Sequence, residues 1–370
     1  MNKRNETLDI IRIFSLFCVV GVHFFLNSGF YVFRLEGAAM AVLCVFRSFF
    51  IICVPMFIML SGYLMNGKAP AKKYFLGVTK VIFMYLISSV VFAAFEGFYL
   101  HREVSLKKFI TDFLSYKGTT YAWYIEMYIG LYLLIPFLNM IFNNLKDQRQ
   151  AKCLIAVLFA AVMLPSMTNA YDLGLDQWWL NPASGGEYFK LLPNWWGIMY
   201  PVFYYFLGAY VSKYKPKLSA AGCICFLLAL VLADGFFNYW RADGASYSSG
   251  KTNEYASPVV AVIAYLTFAL LLKIKPKKEN RVRGLILQTL SDSCLYAYLL
   301  SAMFDSVFYK NMTAQINGFT DMLKLFPVKV LTVFSLSLCA GTAIHPAVTG
   351  VREAIEKLVG RLRKQPSVKL

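Results

Sequence analysis

Ten long apolar segments, separated by short polar or Gly- and Pro-containing stretches, dominate this sequence of 370 residues. A transmembrane helix needs about 20 consecutive, mainly apolar residues, so most of the segments are long enough to cross a bilayer. The segments lie at about 8–30, 39–65, 76–98, 121–142, 152–170, 195–212, 217–237, 256–273, 284–309 and 325–349. The pattern therefore predicts an all-α, polytopic integral membrane protein with about ten transmembrane helices.

The composition excludes other classes of protein. Hydrophobic residues make up 58% of the chain and charged residues 15%, with a mean hydropathy of +0.54. An average soluble domain carries about 25% charged residues, and it could not hide this much apolar surface. A soluble enzyme, a disordered chain and a single-pass receptor are therefore excluded. The segments also lack the alternation of polar and apolar residues that an outer-membrane β-barrel requires.

The eight cysteines all lie inside apolar segments, and none belongs to a CxxC motif or a Cys/His cluster. Paired thiols in polar loops would indicate a disulfide framework, and clustered thiols and imidazoles would indicate zinc. Neither pattern is present, so we expect the cysteines to act as small apolar core residues and no metal ion to be bound.

The basic residues indicate how the chain lies in the membrane. A net charge of +17 would suggest nucleic-acid binding in a soluble protein, but here Lys and Arg lie in short loops between apolar segments, so we expect no nucleic-acid partner. With a cytoplasmic N-terminus, inner segments carry 24 Lys and Arg residues and outer segments carry 10. This bias predicts an even number of helices with both termini cytoplasmic. We predict a transmembrane domain over residues 1–350 and a basic cytoplasmic tail over residues 351–370.

The same orientation assigns the loops to the two sides of the membrane. The three longest loops, at about 99–120, 171–194 and 238–255, face outward. The inner rim is basic and suits either anionic membrane lipids or a polyphosphate cofactor, and composition does not separate the two.

Three ionisable residues lie within the first apolar segment. Charged groups inside a membrane are costly, so these residues are functional candidates. Asp9 and Arg12 are three residues apart and are neighbours on one helix face. His23 follows Arg12 by eleven residues, which places both side chains on one face, about 16 Å apart along the axis. This layout suits a passage that binds an anion near the inner surface and moves protons deeper in the membrane. The alternative is a structural Asp–Arg pair and a hydrogen-bonded histidine.

Further carboxylates lie towards the outer ends of apolar segments, at Glu96, Glu126, Asp234 and Asp305. Together they would line a cavity that accepts hydroxyl groups, or they are interfacial residues that snorkel or pair with basic side chains. Glu126 is the strongest candidate for a catalytic role because aromatic residues surround it within 123–128. Aromatic rings stack on sugars, although aromatic belts at the headgroup level are the more common arrangement.

Four motifs occur in order along the chain. They are Leu8–Arg12 (LDIIR) with His23 eleven residues further on; VPMF at 54–57 with SGYL at 61–64; WY at 123–124 with GLY at 130–132 and Pro136; and PVFYYFLGAY at 201–210. Each motif alone is weak, but four in order on a ten-helix chain resemble the acyltransferase-3 family of integral membrane acyltransferases. The resemblance extends over essentially the whole chain.

The resemblance implies O-acyl transfer, usually of acetyl, from cytoplasmic acetyl-CoA to a surface or secreted glycan. It implies a standalone form of the family without an extracellular SGNH domain. It also implies that His23 is the essential histidine and that Arg12 is its paired arginine. Asp9 would then orient or neutralise Arg12.

The phosphates of coenzyme A require a basic inner mouth. The candidate ligands are Arg12, Lys72, Lys73 and Lys80. Many relatives carry an R-x-x-R pair in the first inner loop, whereas residues 77–80 here read GVTK, so the phosphate ligands do not follow from the family pattern. Many relatives also have a histidine near the position at which this chain has Ser301. No second catalytic histidine is therefore expected here.

Two mechanisms and two rival functions remain open. A neutral His23 either takes the proton of a sugar hydroxyl as it attacks the thioester, or accepts the acetyl group itself and passes it outward. One rival function is a secondary transporter that exports a lipid-linked sugar or an organic anion, although no inverted repeat is visible. The other is a non-catalytic scaffold of polysaccharide assembly.

The expected location is the bacterial cytoplasmic membrane, with a glycan or lipid-linked glycan as acceptor. Association into a homo-oligomer or with polysaccharide-assembly partners is left open.

Overall fold

In the computed structural model the regular secondary structure is helical. The structure describes residues 4–169, 171, 173–174, 176, 178, 190–247, 251–274, 280–310, 312, 316 and 319–362, with side chains as far as residue 350. Within these residues the backbone forms no strand, and an isolated antiparallel bridge joins Arg34 and Ser246. The prediction of an all-α fold is confirmed. Stretches that entered the orientation prediction lie outside the described residues at 1–3, 179–189, 248–250, 275–279 and 363–370.

The helices follow one another with short connections. Those of the first half are α1 (Glu6–Asn27), α2 (Gly37–Phe50), α3 (Cys53–Met65), α4 (Lys72–Phe75), α5 (Val78–Phe98), α6 (Leu106–Leu114) and α7 (Trp123–Asn143). Those of the second half are α8 (Gln148–Leu158), α9 (Leu164–Thr168), α10 (Tyr200–Tyr214), α11 (Ala220–Arg241), α12 (Pro258–Leu271), α13 (Arg281–Phe308) and α14 (Phe319–Leu362). A π-helical turn at Phe159–Met163 joins α8 to α9, and a 3₁₀ turn at Gly197–Met199 leads into α10.

The helices coincide with the predicted apolar segments. Within the described residues, seven helical stretches are long and apolar enough to cross a membrane: Glu6–Asn27, Gly37–Met65, Lys72–Phe98, Trp123–Asn143, Gln148–Thr168, Ala220–Arg241 and Thr320–Gly350. Helices α10 and α12 are shorter, with 15 and 14 residues. The fold suits a polytopic membrane protein, whereas the number of ten crossings and the cytoplasmic side of both termini stay predictions.

Three details differ from the predicted segments. The second segment forms two helices, α2 and α3, which are separated by Ile51 and Ile52. The loop predicted at 99–120 contains α6, whose start is capped by the Ser105 side chain. This helix has only 9 residues, so a search for long apolar runs does not detect it. Helix α11 continues to Arg241, into the loop predicted from residue 238.

Helix α11 shows how the fold meets the membrane. Ile224, Leu228 and Phe236 lie on one helical face and are about half exposed, whereas Asp234 and Asn238 are buried. Water would favour the opposite arrangement, with the apolar face covered and the polar face exposed. A helix with apolar residues outside and polar residues inside therefore fits a lipid environment around a polar interior.

Helix α1 is the central element and contacts α2, α3, α12, α13 and α14. The Asn5 side chain caps its start by accepting a hydrogen bond from the Thr7 backbone N–H. Contacts from Glu6 to Arg283, at one end, and from His23 to Asp305, near the other, show that α1 and α13 run in the same direction. These two helices carry most of the candidate site.

Glycine residues from two of the sequence motifs pack α3 against α10. A Cβ atom at Gly62 would collide with the backbone carbonyl of Tyr205, and one at Gly208 would collide with that of Met59. The two backbones are therefore in direct contact, as small residues allow between membrane helices. At this contact, the motifs at 61–64 and 201–210 serve helix packing.

Candidate active site

His23 lies near the C-terminal end of α1 and is 5% exposed. Its Nδ1 atom lies 3.2 Å from Oδ2 of Asp305 and 3.4 Å from the Ser301 hydroxyl, both on α13. Asp305 is itself 3% exposed. Ser301 and Asp305 are four residues apart, so their side chains are adjacent on one face of α13. An imidazole in contact with a buried carboxylate is a group that can exchange protons.

Two tyrosines hold the His23 ring in place. Tyr121 stacks on it with the ring centroids 3.6 Å apart. The Tyr121 hydroxyl donates a hydrogen bond to Oδ2 of Asp305 over 2.6 Å. Tyr298 donates to the Tyr121 backbone carbonyl, and its ring centroid lies 6.3 Å from that of His23. We term the set of His23, Tyr121, Tyr298, Ser301 and Asp305 the His23 cluster.

The contacts distinguish the two nitrogens of His23. A carboxylate beside Nδ1 favours the tautomer that carries its proton on Nδ1, because that N–H faces an acceptor. The other nitrogen, Nε2, then keeps its lone pair. Nε2 is therefore the atom that can act as a base or as a nucleophile.

A cavity of about 330 Å³ lies beside α1, towards its N-terminal end. Its polar lining residues are Arg12, Ser61, Lys80, Ser291 and Asp292. Arg12 donates a hydrogen bond of 2.5 Å to the Ser291 hydroxyl. Val19 belongs to its apolar wall and lies one helical turn before the histidine. Tyr298 lines it as well, so the cavity reaches the His23 cluster. We term it the Arg12 cavity.

Asp9 is buried near the Arg12 cavity and interacts with two arginines. Its Oδ1 atom lies 2.7 Å from Nη2 of Arg4 and 3.8 Å from Nη1 of Arg12. Arg4 also forms an ion pair of 2.8 Å with Asp292, on α13. The hydrogen bond to Asp9, followed by the one to Asp292, raises the pKa of the Arg4 guanidinium. The network neutralises part of the positive charge around Arg12 and ties α1 to α13.

A second cavity, of about 360 Å³, lies at the other end of α1. Its lining includes Asn27, Arg102, Lys310, Asp305 and Tyr309. Oδ1 of Asp305 and the Tyr309 hydroxyl are buried and have no hydrogen-bond partner among the described residues. Buried polar atoms without partners are rare, so two of them on one cavity wall indicate a place for water or for a hydroxyl-bearing ligand. We term it the Asp305 cavity.

The His23 cluster lies between the two cavities. Tyr298 belongs both to the cluster and to the wall of the Arg12 cavity. Asp305 belongs both to the cluster and to the wall of the Asp305 cavity. A group that enters from either end of α1 therefore comes close to the same imidazole.

The structure brings some of the predicted site residues together. Arg12 and Lys80 line one cavity, and the face of α1 that carries Arg12 leads to His23. Asp9 contacts Arg12, as the resemblance implied, but it is closer to Arg4. Lys72 and Lys73 are exposed on the short helix α4 and do not line the Arg12 cavity.

The structure does not place Glu126 near His23. Glu126 is exposed and lies on the face of α7 that carries Leu133 and Phe137, which are 41% and 50% exposed. Its neighbours Tyr124 and Ile125 are buried instead. Glu126 lines neither cavity, because the aromatic run around it turns a different face towards the core, and its catalytic role stays a prediction.

Sequence reasoning missed the partners of His23. Asp305 was only one of several span carboxylates, and Tyr121 and Ser301 had no assigned role. The spacing of Ser301 and Asp305 does indicate a polar face on α13, but nothing local shows that this face meets α1. The other carboxylates have other partners: Glu96 pairs with Arg102 at 2.7 Å, and Asp234 binds a side-chain amide.

Comparison with known proteins identifies the family of the chain. A family model described as an acyltransferase domain, Acyl_transf_3, matches residues 5–345. No curated protein and no solved structure matches the chain. The matched range contains the His23 cluster and both cavities, and it favours acyl transfer over the exporter and the non-catalytic scaffold. The chain belongs to the acyltransferase-3 family and is a membrane acyltransferase.

Proposed function

We propose that this acyltransferase moves an acetyl group from acetyl-CoA, bound on the cytoplasmic side, to a hydroxyl group of a cell-surface or secreted polysaccharide. The observation that carries the proposal is the position of the His23 cluster between the Arg12 cavity and the Asp305 cavity. A donor that enters one cavity and an acceptor that enters the other would meet at one imidazole. The positive-inside bias supports a cytoplasmic Arg12 cavity and an outward Asp305 cavity.

The Arg12 cavity fits the acyl donor in charge and in shape. Arg12 and Lys80 supply cations for phosphate groups. The apolar wall, which includes Val19, suits the pantetheine arm and the thioester. At about 330 Å³ the cavity suits this arm better than the whole nucleotide. The nucleotide would then rest on the exposed basic rim, where Lys72 and Lys73 lie near the start of α5.

His23 Nε2 supplies the chemistry by one of two routes. In the first route Nε2 takes the proton of the acceptor hydroxyl while the hydroxyl oxygen bonds to the thioester carbonyl carbon. The C–S bond then breaks, and the proton passes to the leaving thiolate. In the second route Nε2 itself bonds to the carbonyl carbon, the C–S bond breaks and a thiolate leaves. The acceptor oxygen afterwards bonds to the acetyl carbon, the Nε2–carbon bond breaks, and the hydroxyl proton balances the thiolate as free thiol. Asp305 stabilises the positive charge that the ring carries in either route.

The Asp305 cavity fits a sugar hydroxyl. Oδ1 of Asp305 can accept a hydrogen bond, and the Tyr309 hydroxyl can donate or accept one. A glycan or a lipid-linked glycan at the outer face of a bacterial cytoplasmic membrane would satisfy both atoms. The described residues supply every group that the proposal uses, so it requires neither a homo-oligomer nor a polysaccharide-assembly partner.

The O-acetyl proton signal of purified surface glycans, measured by NMR, tests the proposed function. The samples are cells without the gene and cells in which wild type, His23→Ala or His101→Ala is restored at equal protein level. His101 is a matched control because it is an exposed histidine outside both cavities. We expect the signal to return with wild type and with His101→Ala, and to be lost in His23→Ala by about 100-fold or more.

Each other outcome has a definite meaning. A signal that returns with His23→Ala would contradict the role of the imidazole. A signal that is the same in every sample and in every glycan fraction would contradict the acetyl group or the polysaccharide acceptor. The polymer that regains its O-acetyl group identifies the acceptor.

A further inference from the structure

Arg47, on α2, is a buried cation that forms no ion pair within the described residues. The residue is 5% exposed. Its Nε atom donates to the Tyr31 hydroxyl over 2.5 Å, and Nη1 donates to Oδ1 of Asn253 over 2.7 Å. In the part of the chain that the structure describes, Nη2 donates no hydrogen bond, and no carboxylate forms an ion pair with the guanidinium. A buried charge is costly unless it is paired, so an unpaired one indicates a place for an anion.

The partners of Arg47 are themselves fixed by hydrogen bonds. Oδ1 of Asn253 also accepts from the Tyr247 hydroxyl over 3.0 Å, and Nδ2 of Asn253 donates to Asp234 over 2.8 Å. Asp234 therefore compensates the charge of Arg47 across an intervening amide rather than by direct contact. The ring centroids of Tyr31 and Tyr247 also lie 5.9 and 6.0 Å from the guanidinium carbon. The guanidinium is held in one position without being neutralised directly. We term the set of Arg47, Tyr31, Tyr247, Asn253 and Asp234 the Arg47 cluster.

Arg47 lines a cavity of about 460 Å³. Tyr200 and Tyr255 form part of its wall, with their ring centroids 5.8 Å apart. Val22 and Leu26 also line it, and they flank His23 on the same turn of α1. We term it the Arg47 cavity. It therefore lies beside the turn of α1 that carries the catalytic histidine.

We propose that the Arg47 cavity binds a sugar that carries a carboxylate. Arg47 matches a carboxylate because its planar guanidinium can still donate through Nη2. The rings of Tyr200 and Tyr255 supply flat apolar surface for one face of a pyranose ring. Glu254, exposed at the rim, can accept hydrogen bonds from sugar hydroxyls. We place this acidic sugar next to the acetylated sugar in the acceptor polymer, and this placement rests on the proposed function.

An anionic lipid headgroup would bring the same kind of charge to Arg47. A headgroup has no pyranose ring to cover the two tyrosines, and it has few hydroxyl groups for Glu254. The volume of about 460 Å³ is within the usual range of small-molecule sites. The cation and the aromatic wall together therefore favour the acidic sugar.

Binding of a defined oligosaccharide tests this site directly. The purified full-length chain is placed in phosphatidylcholine nanodiscs, and its affinity for tetragalacturonate is measured by isothermal titration calorimetry. The matched probe is the carboxyl-reduced, neutral form of the same tetrasaccharide. We expect tetragalacturonate to bind about tenfold or more tighter, because a hydrogen bond from the guanidinium to a carboxylate is stronger than one to a neutral hydroxyl group. Equal affinity for the two probes would overturn the proposal.

Two variants assign the preference to this cavity. Arg47→Gln keeps a hydrogen-bonding side chain and removes the charge, so we expect it to bind both probes equally. Ile198 lines the cavity and is 83% exposed, so Ile198→Glu adds a carboxylate there without disturbing the packed core. This second variant tests the site even if Arg47→Gln does not fold. We expect Ile198→Glu to weaken tetragalacturonate binding about threefold and to leave the neutral probe unchanged. An undiminished preference in both variants would place the acidic sugar elsewhere and overturn the proposal.

Nanodiscs that contain phosphatidylglycerol distinguish the lipid from the sugar. If the preference for tetragalacturonate persists in them, the sugar is the ligand. If it disappears there, an anionic headgroup occupies the cavity in a membrane and the proposal is wrong. No acyl donor is present in any of these titrations, so their outcome is independent of whether acetyl transfer itself is demonstrated.

Discussion

Two buried polar groups lie beside one turn of α1, and they differ in the kind of atom that has no partner among the described residues. At the His23 cluster and its cavity, those atoms are Oδ1 of Asp305 and the hydroxyl of Tyr309. At the Arg47 cluster it is Nη2 of a guanidinium, which can only donate. The first group can therefore bind a hydroxyl, and the second can bind an anion.

The difference separates proton transfer from recognition. An imidazole beside a carboxylate can act as a base or as a nucleophile, whereas a guanidinium only donates hydrogen bonds. Changes in the His23 cluster should therefore lower kcat. Changes in the Arg47 cluster should raise the KM for an acidic acceptor and leave kcat almost unchanged.

Asp305→Asn should have the largest effect and would sharpen the comparison most. The amide of asparagine cannot stabilise a positive imidazole, and it can hold the ring in the wrong tautomer. We expect kcat to fall by about 10²–10⁴ with little change in the KM of either substrate. Steady-state kinetics of the purified protein with its identified acceptor measure both constants. A kcat within twofold of wild type would show that Asp305 does not position His23.

Arg47→Gln should have the next largest effect, and this effect should be on KM rather than on kcat. Loss of one charge-assisted hydrogen bond should raise the KM for a carboxylate-bearing acceptor about tenfold. We expect kcat to stay within about twofold, because Arg47 does not contact His23. The same kinetic assay with the carboxyl-reduced acceptor is the control. A fall in kcat without a change in KM would show that the Arg47 cluster acts in catalysis together with the His23 cluster.

Tyr309→Phe removes one of the two unpartnered atoms of the Asp305 cavity. A neutral hydrogen bond contributes about 0.5–1.5 kcal/mol, so the acceptor KM should rise about two- to tenfold. The KM for acetyl-CoA should not change, because Tyr309 does not line the Arg12 cavity. A change confined to the donor KM would contradict an acceptor in the Asp305 cavity.

Glu126→Gln should have the smallest effect and serves as a matched control for Asp305→Asn. Both variants change a carboxylate to an amide, but Glu126 is exposed on the same face of α7 as Leu133 and Phe137. We expect both kinetic constants to stay near wild type and the free energy of unfolding to change by less than about 0.5 kcal/mol. A large loss of kcat would restore Glu126 as a catalytic candidate.

Most of the helical architecture followed from the sequence, because long apolar segments can only be buried in lipid or in a large core. The stripe from Asp9 through Arg12 to His23 also followed, since residues on one helix are related by a fixed rotation. The short helix α6 and the break between α2 and α3 did not follow. They depend on capping and on packing rather than on the length of an apolar run.

The partners of His23 and Arg47 could not be predicted in the same way. Asp305 is 282 positions from His23 and Asn253 is 206 from Arg47, and no local pattern reports such contacts. The exposure of Glu126 was also hidden, because an aromatic run is compatible with either face of α7. Helix rotation and pairing are properties of the packed bundle, so they required the structure.

The passage of the acetyl group across the membrane is the central claim, and one measurement tests it directly. Inverted membrane vesicles, which have the cytoplasmic face outward, are supplied with radiolabelled acetyl-CoA, and the label in the glycan is then measured. We predict label that resists an esterase added outside until detergent opens the vesicles, and its loss in His23→Ala but not in His101→Ala. Label that the esterase removes without detergent, or label that persists in His23→Ala, would contradict transfer through the His23 cluster.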